Sequence, residues 1–473
     1  MRYFLYLLVI VFLSGCGQNL LNQQVRPDAL SFPPLEFNFP EVAQQQLANG
    51  MQLYLKEDHE LPLVELTLLV EGGSVYDPLD KTGLSQFFAQ TFSTGGTENL
   101  TPAKLEAELE AMAAILTVSS SSYSYKIDLS LNQNDLERGI EILADLLHHP
   151  RFDAERMELV RTQMLESIFR KNDDPGSVAR RLLASAVYPG HQFGADPTAE
   201  VVSGFSRADL LELHQRYFQP QNFWLAVSGD IQANDLVALL EKKFGDWHST
   251  ENMIRDLPIL PPAPAGRILL ADKDIPQTTI LMGHPGINKD NPDVSALQVA
   301  NYILGGGGFN SRMMREVRSN RGLAYSVYSY FRVGRQLPEL YIVGSETKCG
   351  STVEVVTLLQ QLIQQIRTEP VSVGELDLAK KSLINSFVFA FSDSHSVVSR
   401  KVRLDYYGYP KDYLETYRQK IEAVTVADVQ RVAHQYLQPE NLQIVLVGDS
   451  QLYADAIRTL GLPVEDVDLQ QTQ

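Results

Sequence analysis

Two spacings of apolar residues alternate along the chain. Period-two alternation marks strands, as in YSYKIDLSL within residues 122–131, and a further apolar strand is expected over 64–70. Helical periodicity follows over 81–94, 102–113, 134–147 and 154–170. Asn49-Gly50 between Gln44–Leu47 and Met51–Leu55 predicts a β-hairpin with a type I′ turn. The pattern then starts again, with a strand at 278–282, a helix at 293–304, a strand at 340–344 and a helix at 353–366. In that last helix Val353, Val356, Leu359, Ile363 and Ile366 share one face. Strands and helices mixed in this order predict an α+β fold, with helices on one side of a mainly antiparallel sheet.

An internal repeat explains the restart. Residues 208–230 (ADLLELHQRYFQPQNFWLAVSGD) and 427–449 (ADVQRVAHQYLQPENLQIVLVGD) align without a gap. Ala208, Asp209, Gln219, Pro220, Asn222, Gly229 and Asp230 recur 219 positions later as Ala427, Asp428, Gln438, Pro439, Asn441, Gly448 and Asp449. Each copy reads as a helix, a QPxN turn and a strand ending in Gly-Asp, so the chain is a duplicated domain. The segment LPILPPAPAG places four prolines between the copies and reads as a linker.

The N-terminus carries a different signal. Arg2 precedes an apolar run over 3–13, too short for a helix to span the ~30 Å of a bilayer core. Leu13-Ser14-Gly15-Cys16 then resembles a bacterial lipobox, which implies lipidation of Cys16. By the same analogy Gly17 favours the outer membrane, facing the periplasm, over inner-membrane retention. The expected organisation is a lipoprotein signal peptide at 1–16, a tether at 17–40, a first domain at 41–250, a linker at 251–265, a second domain at 266–460 and a polar tail at 461–473. Of the two cysteines the other is Cys349, so with Cys16 acylated no internal disulfide forms. The net charge of −18 argues against nucleic acid, which needs clustered Lys and Arg.

Candidate chemistry concentrates in two motifs. Lys81-Thr-Gly-Leu-Ser-Gln-Phe-Phe-Ala-Gln, followed by Gly95-Gly-Thr, resembles the signature of the insulinase/pitrilysin (inverzincin) zinc peptidases. In that family two histidines four residues apart hold zinc, a glutamate beside the second activates the bound water, and a downstream glutamate completes the ligands. Here the matching positions are Gln86, Ala89 and Gln90, with the downstream one falling on Glu166 or Ser167. A carboxamide is a poor replacement for imidazole at zinc, and Ala89 has nothing to accept a proton. The resemblance therefore implies a two-domain insulinase-like fold whose own metal site is lost, with no cofactor expected in this chain. None of the nine histidines supplies an alternative pair at helical i,i+4 spacing, and there is no G-x-S-x-G elbow. Gly305–Gly308 lacks the Lys-Ser or Lys-Thr of a phosphate loop.

The second motif, Gly305-Gly-Gly-Gly-Phe-Asn-Ser-Arg through Arg318 to Gly322-Leu-Ala-Tyr325, closely resembles the family's C-terminal signature. Spacing alone reads Arg318 as a solvated helix charge and Tyr325 as a packed strand residue. The resemblance implies instead that Arg318 and Tyr325 bind substrate across the domain interface. Some family members work as heterodimers in which a degenerate chain assists a zinc-bearing one. This implies a pseudopeptidase subunit of a periplasmic endopeptidase, partnered by a relative with an intact zinc motif and acting on peptides. Two alternatives stay open: a stand-alone peptide-binding or scaffold lipoprotein, and an active metalloendopeptidase with an unrecognised metal site.

Overall fold

The computed structural model describes residues 39–248 and 256–469. The signal peptide, Cys16 and nearly all of the expected tether lie outside these residues, as do part of the linker and the last four residues of the tail.

Strands β1 (Ala43–Gln46), β2 (Gln52–Glu57), β3 (Leu63–Glu71), β4 (Ile115–Ser120), β5 (Ser124–Asn132) and β6 (Phe223–Gly229) form one sheet in the order β1-β2-β6-β3-β5-β4. Strands β7 (Arg267–Asp272), β8 (Gln277–Pro285), β9 (Ala324–Phe331), β10 (Leu340–Lys348), β11 (Gln443–Gly448) and β12 (Val464–Val467) form a second, ordered β12-β7-β11-β8-β10-β9. From β2 and β7 onward the two orders correspond strand for strand, as duplication requires. Most pairings are antiparallel. The exceptions are β2–β6 in the first sheet, and β7–β11 and β7–β12 in the second.

The helices used below are α1 (Leu84–Thr94), α2 (Ala154–Phe169), α3 (Pro175–Val187), α4 (Arg207–Tyr217), α5 (Thr352–Thr368), α6 (Val373–Phe387), α7 (Ser394–Tyr407) and α8 (Val426–Tyr436). The repeated segments are α4–β6 and α8–β11, and the repeat extends to their starts. Ser206 and Asp209 form a reciprocal capping box on α4, and Thr425 and Asp428 form the same box on α8.

The helices do not stay on one side of each sheet. The inner faces carry the two large cores, with Leu66, Leu68, Val70, Ile127 and Leu225 in the first and Ile280, Met282, Val343, Ile444 and Leu446 in the second. The central strands are also apolar on their outer faces, through Leu69 and Ala226 in one sheet and Leu281, Ile342, Val445 and Val447 in the other. A face of that kind needs cover, and each half takes it from the other. Helix α3, from the first half, lays Val178, Ala179, Leu182 and Leu183 on the second sheet. Helix α7, from the second half, lays Val398, Val402 and Tyr406 on the first. Pro175 and Ser394, which begin them, are themselves 219 positions apart. The two repeats thus exchange equivalent helices.

The exchange is apolar at α3, and at α7 polar contacts join the apolar ones. Arg335, 7% exposed, donates to Glu71 at 3.0 Å and to the Tyr406 hydroxyl at 3.1 Å, and lies 4.0 Å over the Tyr406 ring. The Tyr54 hydroxyl donates to Asp405, and His395 sits between the hydroxyls of Thr67 and Ser228.

The hairpin at Asn49-Gly50 forms, but not with a type I′ turn. Gly50 alone has positive φ, at 97°, and its N–H reaches the Leu47 carbonyl at 3.0 Å while Leu47 N–H reaches that of Met51. This is a type I turn closed by a left-handed glycine. Asn49 is diverted because its side chain accepts from Met51 N–H and donates to the Phe244 carbonyl. Strand β4, absent from the expected elements, follows Ala113, a non-glycine residue at φ 48°.

Candidate functional site

Helix α1 begins at Gly83, whose φ of 91° turns the chain sharply out of the Leu79–Lys81 turn. A side chain there would meet Pro197 at 3.0 Å. Phe87, Phe88 and Phe92 anchor the helix in an aromatic cluster, where Phe88 packs 5.1–5.4 Å from Phe92, Tyr125, Phe152 and Phe218. Beneath the helix the Asp77 carboxylate accepts from both the N–H and the hydroxyl of Ser85, and that hydroxyl pairs with Tyr125 at 2.9 Å. Burial holds the Tyr125 phenol well above its ordinary range. These contacts fix which face of α1 turns outward.

That face carries Gln86, Ala89 and Gln90, which line a cleft of about 480 Å³. The lining also includes Val118–Ser122, from β4 and the turn after it, and Gln192. Among the described residues strand β4 pairs only with β5, which leaves its other edge open beside the cleft. Gln192 is committed, donating to the Asp77 carbonyl at 3.2 Å. The carboxamides of Gln86 and Gln90 make no hydrogen bond among the described residues, nor do the hydroxyls of Ser119, Ser120 and Ser122.

Zinc does not fit this donor set. Two carboxamides and a methyl stand where ligands and base would be. Glu166 is not brought to the cleft: it is exposed on α2 and paired with Arg170 at 2.8 Å. Ser167 is exposed too, because Met157, Val160, Met164 and Ile168 take the inner face of α2. Among the described residues no group of three or more His, Cys, Asp or Glu is placed to hold a metal. His214 is a core residue whose Nε2 donates to the Leu147 carbonyl at 2.8 Å, and burial lowers its pKa to about 4. Cys349 is buried, its thiol donating to the Ile275 carbonyl.

The second motif folds as its glycines require. Gly305 lies against β9, where a side chain would meet the backbone N of Ser329 at 2.6 Å and clash with its Oγ. A wide helical turn over Met314–Asn320 ends at Gly322, φ 64°, and β9 follows. Arg318 donates to the Tyr325 carbonyl at 2.9 Å and lies 4.3 Å over its ring. On its other side Phe309 approaches at 4.7 Å. Tyr325 is 81% exposed and Phe309 is 65% exposed. Tyr325 is therefore not a packed strand residue, as spacing alone suggested. The structure brings Arg318 and Tyr325 together and adds Phe309, but the pair does not line the cleft of Gln86 and Gln90. Three features escaped sequence reasoning: Phe309, the Ser119–Ser122 part of the lining and the open edge of β4. The alternation in ILTVSS is the one signal that pointed to the strand.

The fold and these two motifs define a two-half zinc-peptidase scaffold whose metal-binding face has been replaced. Residues 53–197 match the family model described as insulinase (peptidase family M16), and residues 204–383 match the peptidase M16 inactive domain. A protein named an uncharacterized zinc protease from Mycobacterium leprae is 30% identical over 64% of this chain and 69% of its own length. The "non-peptidase homolog YmxG" of Helicobacter pylori is 24% identical over 84% of this chain and 91% of its own. Among solved structures, a peptidase M16 inactive domain from Pseudomonas fluorescens superposes with a TM-score of 0.78. It is 23% identical and covers 86% of this chain and 98% of its own. This chain belongs to the insulinase family, M16, as a degenerate member without the residues of the family's zinc chemistry.

Proposed function

We propose that this protein is a non-catalytic, peptide-binding subunit of a periplasmic insulinase-family endopeptidase, tethered to the outer membrane through a lipid on Cys16. A zinc-bearing relative would supply hydrolysis, and this chain would supply Arg318 and Tyr325 to substrate held between them. The observation that carries the reading is an asymmetry. The metal face is chemically emptied at Gln86, Ala89 and Gln90, while a half-buried Arg318 stays stacked on an exposed Tyr325, away from this chain's own cleft.

The test is reconstitution with the family member of the same organism that carries the intact zinc motif. Adding this protein should raise hydrolysis by the zinc-loaded partner, and Arg318→Ala should remove the gain without weakening association. A partner equally active alone would defeat the proposal.

A stand-alone peptide-binding lipoprotein is the second reading, favoured by the intact cleft beside the open β4 edge. Calorimetric peptide binding without any partner, and without hydrolysis, would select it.

A further inference from the structure

The chemistry of the emptied cleft says what kind of peptide it takes. Gln86 and Gln90 are one helical turn apart on the outward face of α1, so their carboxamides stand side by side. Each offers an acceptor oxygen and two donor hydrogens, and neither has a partner among the described residues. The β4 side of the lining adds the unengaged hydroxyls of Ser120, on the inner face of the strand with Val118, and of Ser122 in the turn after it, beside an outer backbone edge that is unpaired among the described residues. An extended peptide adding to that edge would place side chains alternately toward and away from the helix.

Formal charge is nearly absent from the lining. Among the described residues that line it, the carboxylate of Asp77 is the sole ionisable group; it is only 2% exposed, and both its oxygens accept from Ser85. A basic side chain entering the cleft would shed water and meet only the buried Asp77 carboxylate, already accepting from Ser85, whereas a hydroxyl or carboxamide would exchange hydrogen bonds with water for hydrogen bonds with Gln86, Gln90 and the serines. An acidic side chain would also face Asp77 and a chain of net charge −18.

We infer that Gln86 and Gln90 form a carboxamide clamp that selects an uncharged, hydroxyl- or amide-bearing stretch of extended peptide on β4. This rests on the stand-alone peptide-binding reading above, the one that uses this cleft, and adds the ligand class. The clamp occupies the positions where the family's zinc ligands stand, so loss of the metal converts a cleaving site into a holding one.

The experiment uses the full chain and three synthetic peptides of equal length, differing at two central positions that carry Gln-Ser, Lys-Lys or Glu-Glu. Affinity is read by calorimetry. The Gln-Ser peptide should bind about tenfold tighter than the Glu-Glu peptide, with Lys-Lys between them. Gln90→Glu should reverse the order of Gln-Ser and Lys-Lys. The double variant Gln86→Ala, Gln90→Ala should weaken the Gln-Ser peptide by about tenfold and leave the thermal midpoint unchanged, because Gln86 is exposed and Gln90 half-buried. If the double variant unfolds, Gln86→Met alone serves the same purpose. Equal affinity for all three peptides, or an unaffected double variant, would overturn the clamp while leaving peptide binding intact. No binding by any of the three would overturn both.

Discussion

Arg318 and Tyr325 hold each other: the guanidinium donates to the tyrosine's own carbonyl and covers its ring at 4.3 Å. The contact orders an exposed Tyr325 against a half-buried Arg318 without burying either in a core. A cation–π contact at such a site contributes about 0.5–1 kcal/mol. Tyr325→Ala should therefore change the unfolding free energy by less than about 1 kcal/mol, read by chemical denaturation. The same variant should reduce stimulation of the zinc-bearing partner by at least about tenfold, while Tyr325→Phe, which keeps the ring, should retain most of it.

Restoring the motif residues should not restore the metal centre. In the triple variant Gln86→His, Ala89→Glu, Gln90→His, two imidazoles would share the cleft face with no third ligand, because Glu166 stays exposed beside Arg170. Zinc retained after dialysis should be well below one ion per chain, and the variant should not hydrolyse peptides.

The polar side of the helix exchange depends on Arg335. Replacing it with Met leaves Glu71 half-buried without its cation and removes the contact with Tyr406. Destabilisation of about 3–5 kcal/mol is expected in denaturant melts, with partial recovery in the double variant Glu71→Gln, Arg335→Met. At the apolar side, Leu183→Ala should cost about 2–5 kcal/mol, since Leu183 is 1% exposed against the second sheet.

Two buried histidines should make the fold acid-sensitive. Burial lowers the pKa of both His214 and His284 from 6.5 to about 4. Above 6.5 each ring is neutral in both states. As the pH falls from 6.5 towards 4, the unfolded chain takes up protons that the folded chain refuses, so stability is lost through that window. The unfolding free energy should fall by a few kcal/mol between these limits. His214→Gln, which keeps a donor for the Leu147 carbonyl, should make the slope shallower by about one proton.

Much of this molecule was legible in its residues. The 219-residue offset exposed the duplication, and strands and helices with clear periodicity fell close to their expected spans. Gln86, Ala89 and Gln90 were recognisable as replacements because metal ligation needs particular side chains at particular helical spacing. Strand β4 was less visible, since an edge strand with one solvent-facing side carries a weak apolar pattern. The downstream position on α2 was ambiguous for a related reason: one residue of register rotates a helical side chain by about 100°.

The sequence by itself determined the two-copy α+β design and the loss of the zinc motif, because both are written in local spacing and residue type. Only the tertiary structure decided that the copies exchange α3 and α7. It alone joined Phe309 to Arg318 and Tyr325, and set the carboxamides of Gln86 and Gln90 in one cleft with a strand whose outer edge is unpaired among the described residues. Those facts depend on which distant surfaces meet to cover apolar faces, and that is settled by packing across the whole chain rather than by any pattern within one segment.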